Sequence, residues 1–205
     1  MTGNAGADVR ILGTLRSADG EGVVRMEDRF DAAVDEVWSA LTDPGRLALW
    51  FGEVEGDLRP GGEFRANLPD AGERAGHIDV CEPPTRLAVT MRDPDARPGQ
   101  PGQTVIDGRL TADGDGTIVV WEERGLPVHL LAAYGTGIQI HVEQLGDHVA
   151  GREPRPSEPR WEVLLPLYEA LTAGVGEIRA DPVTKTVTAP VRGLTPLRGG
   201  GSRRL

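Results

Sequence analysis

The sequence is short of most side chains on which recognisable chemistry is built. Its 205 residues include one cysteine, Cys81, which excludes an internal disulfide and any metal site made of several thiolates. Lysine occurs once, at Lys185, without phosphate-binding glycines before it. The four serines, Ser17, Ser39, Ser157 and Ser202, form no Gly-x-Ser-x-Gly elbow. No apolar run approaches the ~20 residues of a membrane span. Met1–Asp8 lacks the basic-then-apolar order of a signal peptide, so no membrane span is expected and the cytoplasm is the expected compartment. A formal charge of -10 argues against nucleic acid as a partner, since that affinity needs a basic face.

Other partial motifs also fail. Gly135-Thr136-Gly137 lacks the third glycine and the preceding strand of a dinucleotide loop. His141-Val142-Glu143 matches half of a zinc-deaminase signature whose other half needs two cysteines. His141 and His148 share a helix face but stand about 10 Å apart at 1.5 Å per residue, too far for one metal. His77 alternates outward beside Asp79, and Cys81 has no activating base near it in sequence. No cofactor and no metal are therefore expected.

All nine aromatic residues, from Phe30 to Tyr168, fall in the middle of the chain and mark its folded body. Charge is uneven: six basic residues against two acids give residues 174–205 a charge of +4, leaving -14 for residues 1–173. This basic tail, rich in glycine and proline, cannot bury enough apolar surface to offset its ordering entropy. It is expected to be mostly disordered, with Thr184–Thr188 strand-prone. The expected organisation is an N-terminal extension (1–20), a folded domain (21–173) and the tail (174–205).

Within the body, Val24, Met26 and Phe30 alternate as a half-buried strand. Val34, Val37, Trp38 and Leu41 then follow the stripe of an amphipathic helix. Asp43-Pro44 ends it and starts a second short helix, with Asp43 as cap and Pro44 at the first helical position. From Glu53 to Arg124 the pattern is a meander of about six strands. It includes an Arg59-Pro60-Gly61-Gly62 turn of type II and an Asp113-Gly114-Asp115-Gly116 turn. Leu130 to Val149 keeps a helical period interrupted by Gly135 and Gly137, which imply close packing of helix on sheet or a bend. Trp161, Leu164, Leu165 and Tyr168 predict a final helix, kinked at Pro166.

This order, and Phe30–Pro44 (FDAAVDEVWSALTDP) in particular, resembles the SRPBCC (START-like) superfamily, in the branch containing the C-terminal domain of the heat-shock-protein-90 ATPase activator. Trp50-Phe51, Asp57–Phe64, Gly76-His77-Ile78 and Glu82–Leu87 continue the resemblance collinearly over about residues 21–173. The resemblance implies an α+β helix-grip fold, a curved antiparallel sheet of about six to seven strands around a long C-terminal helix. One feature departs: the branch commonly has tryptophan after the helix glycine, whereas Gly137 is followed by Ile138, which implies a roomier pocket. The founding co-chaperone also carries a further N-terminal module for which this chain has no room, so a chaperone role does not follow from the resemblance alone.

One helix cannot fill the concave face of such a sheet, and the resulting hollow is the expected ligand site. Alternation turns Phe64, Val89, Met91, Ile106, Trp121 and Glu123 inward, and Asp28 with Met26 and Phe30. Tyr134, Ile138 and His141 face them from the helix. Trp50 and Phe51 are expected by the cavity mouth, where the resemblance puts the second helix. Glu123 and His141, with Asp28 nearby, would be polar anchors. Alternatively both carboxylates sit at strand ends, solvated or paired with Arg25, Arg29 or Arg124. Trp38, Phe64 and Trp121 also read as plain core.

Three functions fit. The first is non-catalytic binding of a small apolar or amphipathic molecule. The second is an enzyme resembling the aromatase/cyclases, with Glu123 or His141 moving protons. The third is a co-chaperone-like adaptor binding a protein partner through the acidic surface.

Overall fold

A computed structural model describes residues 9–69 and 72–175. Eight antiparallel strands form one sheet: β1 (Gly13–Ala18), β2 (Glu21–Phe30), β3 (Glu53–Gly56), β4 (Glu63–Leu68), β5 (Gly72–Glu82), β6 (Arg86–Arg92), β7 (Gln103–Asp113) and β8 (Gly116–Leu126). Their order across the sheet is β1-β2-β8-β7-β6-β5-β4-β3. Helices α1 (Val34–Thr42) and α2 (Pro44–Leu47) connect β2 to β3. After β8 come the long α3 (Leu131–Val149) and α4 (Ser157–Thr172). The chain has the helix-grip α+β architecture, with α3 on the sheet.

Local chemistry explains the elements near the site. On β2, Val24, Met26 and Phe30 are buried against α3, and Phe30 packs against the bare backbone of Gly146. The Asp43 carboxylate accepts the Arg46 backbone N–H at 2.9 Å, capping α2 as its sequence predicts. The chain then turns so that the Trp50 indole N–H donates to the Ala40 carbonyl at 3.0 Å, which fixes Trp50-Phe51 beside α1. At the β3–β4 turn the Gly62 N–H donates to the Arg59 carbonyl at 2.8 Å, and Gly61 takes the positive φ of 84° that a type II turn requires. Register shifts at Gly22/Val23 and Ile78/Val80 are bulges of the kind that bend a sheet.

The sheet has eight strands rather than six to seven. The strand the sequence conceals is β1, which falls inside the segment 1–20. Its residues GTLRSA carry no apolar alternation, and backbone pairing to β2 from Gly13↔Met26 to Ala18↔Glu21 holds it. The basic tail beyond Val175 and its Thr184–Thr188 stretch lie outside the described residues.

α4 is fastened to α3 by specific contacts. A Cβ at Gly135 would lie 2.6 Å from the Tyr168 ring of α4 and 3.1 Å from the Leu15 side chain of β1, so this glycine permits close packing of α3 on both its neighbouring helix and the sheet. The Tyr168 hydroxyl donates to Gln139 Oε1 at 2.6 Å, and both side chains are fully buried. Arg160 forms a two-pronged pair with Glu143 at 2.7 and 2.6 Å. Arg152 and Arg155 both bind Asp147, closing the short α3–α4 connection.

Candidate functional site

Between the sheet and α3 lies a cavity of about 350 Å³. Small-molecule pockets are commonly ~300–1,000 Å³. Met91 of β6, Thr104 and Ile106 of β7, and Val119, Trp121 and Glu123 of β8 face it from the sheet. Tyr134, Ile138 and His141 face it from α3, and Trp50-Phe51 from the segment after α2. The two-residue period of the strands and the 3–4-residue period of the helix bring these side chains to one space. Phe51 forms a small aromatic cluster, with its ring 5.4 Å from Trp50 and 5.5 Å from His141, the latter edge-to-face at 69°.

The polar centre of the cavity is Glu123, only 8% exposed. Burial pushes its carboxyl up to about 7, opposed by the Thr104 hydroxyl, which favours the charged form. Tyr134 is raised too, mainly by burial and then by the Glu123 charge. An Arg74–Asp93 ion pair at 3.2 Å also lines the space. Near neutral pH the Glu123 carboxyl is thus balanced between a form that donates a hydrogen bond and one that only accepts.

Eight of the ten side chains the sequence singles out line this cavity: Trp50, Phe51, Met91, Trp121, Glu123, Tyr134, Ile138 and His141. Asp28 and Phe64 do not. Asp28 lies opposite Val119 while Glu123 lies opposite Val24, so the two carboxylates are four residues apart along paired strands. Asp28 faces a separate polar cleft, where Arg10 binds its carboxylate at 2.8 Å. Glu123 is buried and does not follow the solvated strand-end alternative. Asp28 comes nearer to it: half-buried outside the cavity, it is ion-paired with Arg10 rather than with the Arg25 or Arg29 side chain, and it accepts the Arg29 backbone N–H at 2.9 Å. Phe64 sits opposite Gly76 in the β4–β5 register, and its ring lies over that glycine rather than in the cavity.

The structure adds residues the sequence reading passed over. Thr104 is two positions before Ile106 and could have been found by the same alternation. The sequence places Trp161 only in a final helix, and nothing in α4 itself announces that it reaches the cavity beside α3. Among the described residues, no group of three His, Cys, Asp or Glu is placed to hold a metal ion, and no helix is long and apolar enough to cross a membrane.

A family model described as Activator of Hsp90 ATPase homolog 1-like protein matches residues 31–150. Among solved structures, the chain is similar to CalU16 from Micromonospora echinospora, with 32% identity and a TM-score of 0.63 over 78% of this chain and 95% of that one. It is also similar to DynU16, from the dynemicin biosynthetic locus, with 27% identity and a TM-score of 0.59 over 66% of this chain and 50% of that one. A conserved protein of unknown function from Enterococcus faecalis shares the fold, with 22% identity and a TM-score of 0.56 over 78% of this chain and 91% of that one. A search of curated proteins returned no match.

Proposed function

The chain belongs to the Activator of Hsp90 ATPase homolog 1-like family, and from that premise we propose that it binds a small apolar or amphipathic molecule in the cavity between the sheet and α3, without transforming it. Trp50, Phe51, Met91, Trp121 and Ile138 provide apolar wall. Glu123, Tyr134 and His141 are the polar anchors that orient the ligand. The observation that carries this reading is the cavity itself: an aromatic-lined hollow of about 350 Å³ with one carboxyl buried inside it. A protein stabilised only by packing gains by filling such a space. Similarity to a protein of the dynemicin biosynthetic locus supports a small-molecule role.

A thermal-shift screen tests the proposal. A ligand raises the melting temperature according to RT ln(1 + [L]/Kd). Ile138→Trp is expected to fill the cavity and abolish that rise without unfolding the protein. If apolar compounds stabilise neither wild type nor variant while a protein partner does, the adaptor reading replaces this one.

Glu123 favours a second reading, in which the site is an aromatase/cyclase-like enzyme. A carboxyl near 7 is matched to general acid–base work at neutral pH. Incubation with a bound polyketide-like compound separates the two, since an enzyme changes the compound and a carrier returns it intact.

A further inference from the structure

Trp161 stands apart from the rest of the cavity lining. Only it and Arg92 are exposed among the lining residues, and the indole is 37% accessible, so it belongs at the mouth. It comes from α4, which begins at Ser157, beyond the residues 31–150 matched by the family model. The indole reaches α3 where that helix is bare: a Cβ at Gly137 would lie 3.7 Å from the edge of the ring. Its helix cannot easily lift away. Arg160, immediately before it, is clamped to Glu143, while Leu164 and Tyr168, one and two turns later, are fully buried. A rigid aromatic surface thus stands between cavity and solvent.

We propose that Trp161 is a specificity-determining residue of the cavity, selecting flat aromatic molecules over flexible alkyl chains of equal carbon count. This rests on the reading of the cavity as a small-molecule site. Tyr134 precedes Gly137 by three residues on α3 and lines the same cavity, so a flat ligand meets aromatic surface from both helices. Offset or edge-to-face contact with these rings adds attraction beyond simple area burial. An alkyl chain gains the area alone and loses rotor freedom on binding.

The test compares two neutral ketones with twelve carbons each, 2-acetylnaphthalene and 2-dodecanone, titrated calorimetrically into the full chain. Wild type is expected to prefer the aromatic ketone. Trp161→Ala should weaken it about 5- to 10-fold, the range that ring–ring contacts support, while changing 2-dodecanone less than about twofold. Trp161→Phe should retain most of the preference. Trp161→Leu, which keeps apolar bulk at the mouth but removes the ring, should reproduce the selective loss. That variant decides the matter should Trp161→Ala fold poorly. If both ketones bind but the variants weaken them by the same factor, or leave both unchanged, Trp161 does not select and the binding site survives without this role. If wild type binds neither ketone, the small-molecule reading fails first and takes the proposal with it.

Discussion

Glu123→Gln isolates the carboxyl buried inside the cavity. The substitution keeps shape and hydrogen-bonding capacity but removes the charge. In the unfolded chain the carboxyl titrates near 4.5, and in the folded protein at about 7. Below 4.5 it is neutral in both states, and it then weighs on neither. As pH rises from 4.5 to 7 the unfolded state releases its proton first, so the folded protein loses stability by about 1.4 kcal/mol per pH unit. Above 7 both states are ionised and the loss levels off at about 3 kcal/mol. The glutamine variant has no such loss. The difference in unfolding free energy, variant minus wild type, should therefore be small near pH 4.5, climb through neutrality and flatten by pH 8. The other ionisable groups are common to both proteins and cancel to first order. Urea unfolding of both proteins at intervals between pH 4.5 and 8.5 measures this directly. A total change of about 3 kcal/mol corresponds to a melting shift of roughly 6–12 °C for a protein of this size. Parallel curves would refute the argument, because a carboxyl that water or a cation reaches loses little on burial.

Three further outcomes follow from the packing and charge around α3. Gly135→Ala should lower stability by about 1–3 kcal/mol despite alanine's better helix propensity, because its Cβ would lie 2.6 Å from the buried Tyr168 ring; chemical denaturation checks this. Arg155 and then Arg152 hold the Asp147 carboxyl down at about 2. It contributes stability that is present above the ordinary carboxylate range and lost as pH falls through 2, and Asp147→Asn should cost roughly 2 kcal/mol at neutral pH and little at pH 2 in urea melts. Ile138→Trp should keep a cooperative unfolding transition while losing any ligand-induced rise in melting temperature.

The cavity was legible because strand and helix periods are local. Met91, Trp121 and Glu123 follow from counting by two, and Tyr134, Ile138 and His141 from counting by three and four. What the sequence hides is set by pairing across the chain. Asp28 has the inward parity the count gives it, yet Arg10, eighteen residues earlier, takes its carboxylate in another cleft. Phe64 has the right parity too, but its ring settles over Gly76, and that register is a property of two strands rather than one. The β1 strand is held by backbone hydrogen bonds that its composition does not advertise. Trp161 joins the cavity through the packing of α4 on α3, where Tyr168 lies against the bare backbone of Gly135 and the indole edge lies beside Gly137.

The four tryptophans provide the most direct test of a ligand-filled hollow. Trp50, Trp121 and Trp161 line the cavity, whereas Trp38 on α1 does not. In a ¹⁵N-labelled sample, adding 2-acetylnaphthalene should move the indole N–H resonances of those three and leave that of Trp38 in place. Four unmoved resonances, or a shift confined to Trp38, would contradict it.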